Sequence, residues 1–278
     1  MTGELSGREL AKEIRASAAA EAAELAKAGR QPRLAVVTAT DDGGSAAYVR
    51  SIANAAAREG IACDVSRTTT AAGIAAMLAQ LADDPEVHGV LLQTPLPDGA
   101  NLAGLATAIP PAKDVDGASP ESLGRLAAGL PAFALATAEA VLALLDYYGV
   151  ELLGRHAVVV GRSVVVGKPV AHLLLDRHAT VTICHSRTAD LPAITRQADV
   201  LVAAAGRAAL IGLGHVSPGT TVIDVGTNAT PEGGLAGDVD PAVAAVDGVA
   251  LTPVPGGVGP VTTALLLRHV VTAAAAAV

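Results

Sequence analysis

Val158-Val159-Val160-Gly161-Arg162-Ser163-Val164-Val165-Val166-Gly167-Lys168-Pro169 reads as an apolar strand, a glycine turn and the opening of a helix. The valines suit a buried strand and Gly161 frees the turn. Pro169 belongs near the first turn of a helix, where a missing N–H is tolerated. The spacing is Gly-x-Ser-x-x-x-Gly-x-Pro, which departs from the Gly-x-Gly-x-x-Gly of a dinucleotide loop. Context strengthens it: a strand before, a helix after, and a second strand, Thr180 to Cys184, ending about 20 residues on. Amides and the dipole at such a helix start suit a pyrophosphate.

At the end of that second strand an NAD site places a carboxylate for the ribose hydroxyls. This chain has Cys184-His185-Ser186-Arg187-Thr188, with no acid, and Arg162 lies in the first turn. Guanidinium groups bind phosphate through paired donors, so Arg162, Ser163, Ser186 and Arg187 suit a 2′-phosphate. The cofactor expected is therefore NADP, on Gly161, Arg162, Ser163, Gly167, Ser186, Arg187 and Thr227.

Outward from this loop the chain alternates strands and helices. Before it come a helix over about 7–29, strand 33–37, helix 45–59, strand 61–65, helix 71–83 and strand 89–92. After it come helix 168–177 and strands 180–184, 200–204 and 221–225. That rhythm predicts parallel sheets flanked by helices. The fold class expected is α/β in two domains, the second Rossmann-like. The division expected is 1–138 with 262–278, and 139–261, joined near residues 137–148 and with the active site in the cleft between them.

The net charge of −8 argues against nucleic acid or an anionic membrane surface as the main partner. Cys63 and Cys184 are too few for a disulfide framework and, without a signal peptide, point to a reducing cytoplasm. No metal is expected. Residues 261–278 approach the length of a membrane span, but Arg268 and His269 interrupt them, so a core helix is the better reading. Thr252-Pro253-Val254-Pro255-Gly256-Gly257-Val258-Gly259-Pro260-Val261-Thr262 is too rich in Pro and Gly for a regular element, and suits a loop whose backbone approaches a ligand.

Beside these motifs stand Pro32-Arg33-Leu34-Ala35-Val36-Val37, Ala47-Tyr48-Val49-Arg50, Leu91-Leu92-Gln93-Thr94-Pro95-Leu96-Pro97 and Lys113-Asp114-Val115-Asp116-Gly117. Further along come VIDVGTN at 222–228 and GDVD at 237–240. The ordered set resembles the methylenetetrahydrofolate dehydrogenase/cyclohydrolases over nearly the whole chain. The resemblance implies a folate substrate and a homodimer. It implies that Tyr48 packs on the aminobenzoyl ring and Gln93 assists catalysis. Asp116 would hold the amino-pyrimidine edge of the pterin, and Pro255, Gly256 and Gly259 would close over pterin and nicotinamide. Taken one at a time, Asp116 also reads as a turn acid, Gln93 as a strand-end polar residue and Tyr48 as a core residue.

The family pattern is Tyr-Val-x-x-Lys, and here Ile52 stands at the catalytic lysine position. Arg50 lies on the opposite face of the helix and its guanidinium is a weak proton-transfer group. Further departures are Asn54 for a second lysine, Ser122 for an asparagine, Leu135-Ala136-Thr137-Ala138 for Pro-Cys-Thr-Pro and Thr227 for isoleucine. Hydride transfer to a nicotinamide requires alignment of two rings, whereas hydrolysis of the methenyl product requires protons to move. The sequence thus predicts a dehydrogenase whose cyclohydrolase activity is lost or weak. Two alternatives stay open. One is a non-catalytic binder of folate and NADP. The other is an oxidoreductase for another small molecule, since shikimate-type dehydrogenases share the architecture.

Overall fold

The computed structural model describes residues 3–40, 43–231 and 233–277. In chain order the strands are β1 (Gly3–Glu4), β2 (Arg33–Thr38), β3 (Ala62–Arg67), β4 (Gly89–Leu92), β5 (His156–Val160), β6 (Thr180–Cys184), β7 (Val200–Ala203), β8 (Thr221–Asp224), β9 (Asn228–Ala229), β10 (Leu235–Ala236) and β11 (Ala250–Leu251). The helices are α1 (Arg8–Lys27), α2 (Gly43–Arg58), α3 (Ala71–Asp83), α4 (Leu102–Ala106), α5 (Pro120–Ala127), α6 (Ala136–Tyr147), α7 (Gly167–Asp176), α8 (Leu191–Thr195) and α9 (Val258–Ala276). The chain forms two compact units, residues 12–136 with 263–278 and residues 1–11 with 137–262.

The first unit holds a parallel three-stranded sheet in the order β3-β2-β4. Strands β2 and β4 are almost wholly buried, and their continuous Val/Leu runs are what a parallel strand covered on both faces requires. Edge strand β3 carries Asp64 and Arg67 and stays half-open. Ala35, Val37, Val90 and Leu92 share one face and pack with Ile74 and Leu78 of α3. Thr70 caps the start of α3 by accepting from the Gly73 amide at 3.1 Å. The other end is closed by Lys113, whose Nζ donates to the carbonyls of Leu81, Ala82 and Asp84 at 3.1, 2.8 and 2.6 Å. A cation there also complements the negative end of the helix dipole.

The second unit holds a parallel six-stranded sheet in the order β1-β11-β8-β7-β5-β6, with β9 and β10 as an antiparallel hairpin. Strands β5, β7 and β8 are buried, and Val158, Leu201, Val222 and Ile211 form the core. The helices and parallel sheets are those the sequence predicts. Strands β1 and β9–β11 and helices α4, α5 and α8 were outside that reading, being too short to show a period. The expected division also gave all N-terminal residues to the first domain. Residues 1–11 instead join the six-stranded unit, because β1 pairs with β11 and the Leu5 amide donates to the Leu251 carbonyl at 2.9 Å.

Among the described residues α9 alone is long and apolar enough to cross a membrane. Leu265, Leu266, Leu267, Val270 and Val271 are buried within the protein, which accounts for its composition. Both cysteines are free thiols.

Candidate active site

In the three-stranded unit the best-determined feature is the turn that carries Asp116. Asp114, 1% exposed, accepts from the amides of Ala118 and Ser119 at 3.1 and 2.9 Å. The Lys113 carbonyl takes the Val90 amide at 2.8 Å, and His269 of α9 donates from Nδ1 to the Val115 carbonyl at 2.8 Å. Gly117 has φ +65°, and a Cβ there would come within 2.4 Å of the Phe133 carbonyl oxygen. Gly89 likewise leaves room for Val115, whose methyls would sit 2.9 Å from a Cβ. Residues on both sides of Asp116 are therefore fixed, and its carboxyl is presented on a rigid turn. Burial first, then the charge of Asp114, pushes the Asp116 carboxyl up to about 7, while His269 opposes the rise.

Tyr48 lies on α2 and belongs to the same constellation. Its ring is 38% exposed, yet its hydroxyl sits deep enough that burial, reinforced by Asp116, pushes it up to about 12, against the effect of a hydrogen bond with Thr263. The phenol is thus neutral at any working pH. Gln93 follows β4, half-buried, with its amide donated to the Thr94 carbonyl at 2.7 Å. Ser45 of α2 donates to that same carbonyl at 3.2 Å, tying the Gln93 turn to the Tyr48 helix. Tyr48, Asp116 and Thr263 are therefore brought together, with Gln93 linked through the helix.

One helical turn beyond Tyr48, Ile52 is fully buried, whereas Arg50 and Asn54 are exposed. One turn apart on α2, Tyr48 and position 52 are expected to share a face, yet Tyr48 is exposed and the isoleucine is packed inside. Lys113 supplies no substitute amine, since its three donors close α3. Ser122 is buried and hydrogen-bonded to the N-cap Ser119 of α5, and Leu135, Ala136 and Ala138 are core residues.

In the six-stranded unit the turn after β5 has the tightness a dinucleotide cradle requires. Gly161 has φ +146°, and a Cβ on Gly167 would lie 2.2 Å from the Gly161 carbonyl oxygen, so the helix start rests on the strand end. Ser163 Oγ accepts from the amides of Val166 and Gly167 at 3.1 and 3.3 Å and so fastens the turn that leads into α7. The backbone N–H groups of residues 162–165 have no partner among the described residues, and this stretch is exposed. Arg162, Ser186, Arg187 and Thr227 are exposed as well, and neither guanidinium is engaged by another described residue. Unpaired amides at a helix start beside two free arginines fit a phosphorylated dinucleotide.

Pro255, Gly256 and Gly259 lie in this same unit, whereas Tyr48, Gln93 and Asp116 belong to the three-stranded one. Their loop is braced by the N-terminal segment. The Gly7 amide donates to the Gly256 carbonyl at 2.8 Å, and a Cβ on Gly7 would come within 2.1 Å of the Gly257 carbonyl oxygen. Two buried acids complete the unit. Asp224 accepts from Gly226, Asp238 and Val239 amides at 2.9, 2.9 and 3.0 Å. Asp238 accepts from the amides of Ala205, Gly206 and Arg207 and from Asn228 Nδ2, at 2.6, 2.8, 2.8 and 2.9 Å. Sequence reasoning quoted Asp224 and Asp238 as motif letters without a role and did not single out Thr263 or His269. The close spacing of VIDVGTN and GDVD was the available signal for the acids.

A model of the tetrahydrofolate dehydrogenase/cyclohydrolase catalytic domain matches residues 5–116, and a model of the NAD(P)-binding domain of the same family matches residues 135–278. The bifunctional protein FolD 1 of Rhodococcus jostii is 61% identical over 99% of this chain and 93% of its own length. The bifunctional methylenetetrahydrofolate dehydrogenase/cyclohydrolase of Campylobacter jejuni superposes with a TM-score of 0.95 at 38% identity, covering 99% of both chains. The Trypanosoma brucei enzyme, solved with NADP and an inhibitor, gives 0.92 at 34% identity, covering 99% of this chain and 97% of that one. The chain belongs to the tetrahydrofolate dehydrogenase/cyclohydrolase family.

Proposed function

We propose that this protein oxidises 5,10-methylenetetrahydrofolate to 5,10-methenyltetrahydrofolate with NADP and hydrolyses the product weakly or not at all. The observation that carries the second half is Ile52: a fully buried alkyl group stands where the family pattern has its catalytic lysine. When bound, NADP accepts the hydride. The chain's own residues hold and orient. Asp116 accepts from the amino-pyrimidine edge, Tyr48 packs against the aminobenzoyl ring and donates from a phenol that stays protonated, and Gln93 fixes a polar contact at the end of β4. Pro255, Gly256 and Gly259 complete the proposed substrate set on the resemblance. Arg162 and Arg187, with Ser186, favour the 2′-phosphate, while Gly161, Ser163 and Gly167 shape the turn, and Thr227 lies in the loop between β8 and β9.

Water's attack on the methenyl bridge is a different demand, because a proton must leave the water. General acid–base assistance contributes about 10²–10⁴-fold, and neither an alkyl side chain nor a phenol held near pH 12 supplies it at neutral pH. The relatives carry the name bifunctional; Ile52 is what sets this chain's proposed balance. The proposed setting is a cytoplasmic homodimer. The test mixes purified protein with methylenetetrahydrofolate and NADP and follows NADPH and methenyl absorbance together. Methenyltetrahydrofolate should accumulate and then decay at the rate seen in buffer. Enzyme-dependent conversion to formyltetrahydrofolate would sink the proposal, and binding of both ligands without hydride transfer would favour the non-catalytic reading.

A further inference from the structure

We propose that Asp238 is a positioning residue for the nicotinamide half of the cofactor, acting through the 205–207 turn and the backbone around Thr227. The inference rests on the cofactor reading above and concerns how that site is built.

In a doubly wound sheet the two halves of a dinucleotide lie over different strands. The adenosine half follows the first βαβ unit, here β5-α7-β6, and the nicotinamide half lies across the switch point, over β7 and β8. The loops leaving β7 and β8 therefore meet nicotinamide and its ribose. Residues 205–207, directly after β7, are exposed, yet their three consecutive amides all turn inward onto one carboxylate. Gly206 at φ +64° makes that turn attainable. Asp238 itself has no solvent exposure.

The same carboxylate takes Asn228 Nδ2, and Gly226 is held by Asp224, whose Oδ1 also receives the Asp238 amide. Thr227 is thus pinned on both sides by one linked pair of acids. The fit leaves no slack: a Cβ on Gly226 would lie 2.3 Å from the Asp238 amide nitrogen, and one on Gly237 would lie 1.8 Å from Asp224 Oδ2. With its amides turned inward, the 205–207 loop offers a ligand no N–H, while the carbonyls of Ala205 and Gly206 take no hydrogen bond among the described residues and that of Arg207 accepts from the Leu210 amide at 3.3 Å. Such a surface accepts hydrogen bonds, which suits a ribose hydroxyl or a carboxamide NH₂ and repels phosphate. The two halves of the site are then chemically distinct: unpaired N–H groups and arginines at β5–β6, and acceptors set by Asp238 at β7–β8.

The experiment compares NADP with adenosine 2′,5′-bisphosphate, which contains only the adenosine half. Affinities of wild type, Asp238→Asn and Asn228→Ala for both are measured by calorimetry, with kcat and KM for hydride transfer. Asp238→Asn replaces an acceptor by a donor facing amides, and NADP affinity should fall about tenfold, with kcat also reduced. Affinity for the bisphosphate should stay within about twofold of wild type, a change worth under 0.5 kcal/mol. Asn228→Ala removes one of the four donors and leaves the turn amides in place. It should shift NADP affinity about threefold in the same direction, and it keeps the test valid should Asp238→Asn not fold. Parallel loss of both ligands would mean general loosening of the unit and would overturn the inference. So would NADP binding unchanged in both variants. Wild-type protein that bound neither ligand would overturn the cofactor reading itself, and the inference with it.

Discussion

Asp116 and Glu59 are two carboxyls lifted to about 7 by burial, and their consequences differ because one is proposed to meet a ligand and the other is packed in the core. On the proposed reading of Asp116, the amino-pyrimidine edge of a pterin would donate hydrogen bonds to it, which favour the ionised acid and lower its pKa on binding. Affinity for a tetrahydrofolate should therefore rise from pH 6 through 7 and level off above. Calorimetry at pH 6.5 in buffers of different ionisation enthalpy should register proton release, up to about one per site. Asp116→Asn should weaken binding and flatten the pH profile; a flat profile in wild type would count against Asp116 as the pterin acid. Glu59 is 6% exposed, its Oε2 has no hydrogen-bond partner among the described residues and Arg15 Nε is 4.0 Å from Oε1. The folded state holds this proton more tightly than the unfolded state, whose value is near 4.5. Below pH 4.5 both states are protonated and nothing is lost; stability then falls with rising pH, and the full cost is in place above 7. Its size is at most about 3 kcal/mol, from about 1.4 kcal/mol for each unit of the rise, and solvent screening reduces it. Glu59→Gln should raise the melting midpoint clearly at pH 8 and little at pH 4.5, and an equal effect at both would show that ionisation is not the cause. The isoleucine at position 52 was legible in the sequence, but its full burial was not, because a helical face shows direction and not what covers it.

At the scale of elements, helix ends explain which motif letters are structural. Lys113 belongs to the motif that carries Asp116, yet its ammonium closes α3. Lys113→Met keeps the apolar stem and removes the three hydrogen bonds, leaving the carbonyls of Leu81, Ala82 and Asp84 without that donor. A loss of about 2 kcal/mol is expected, measured by denaturant or thermal unfolding. NADP affinity should not move, since Lys113 lies outside the six-stranded unit. An unchanged stability would mean that water replaces the ammonium fully. Long strands and helices were legible because parallel burial and the 3.6-residue period write themselves into composition. The two-residue strands β1, β9, β10 and β11 were not, because pairing at that length is set by partners distant in the chain. Ser163 shows the same limit: its letter was read as phosphate contact, and the sequence did not show that its oxygen also accepts the Val166 and Gly167 amides in the turn ahead of α7.

Across the whole molecule, the family and its two kinds of unit could be read from ordered motifs, whereas the boundary at the N-terminus could not. Nothing in residues 1–11 has the period of a strand, and only the pairing of β1 with β11 assigns them. The buried acids Asp224 and Asp238 escaped for a related reason: their partners are backbone amides, which every sequence offers equally. What is specific to this chain is therefore concentrated in a few side chains on a shared scaffold. The N-terminal segment adds a practical corollary. Because Gly7 braces the 253–257 turn and Ser6 receives the Tyr148 hydroxyl at 2.8 Å, a peptide fused at the N-terminus would join the chain just ahead of edge strand β1 and that brace. Affinity handles and fluorescent fusions are better attached behind Ala277, or kept distant by a flexible spacer, so that assays report the native turn.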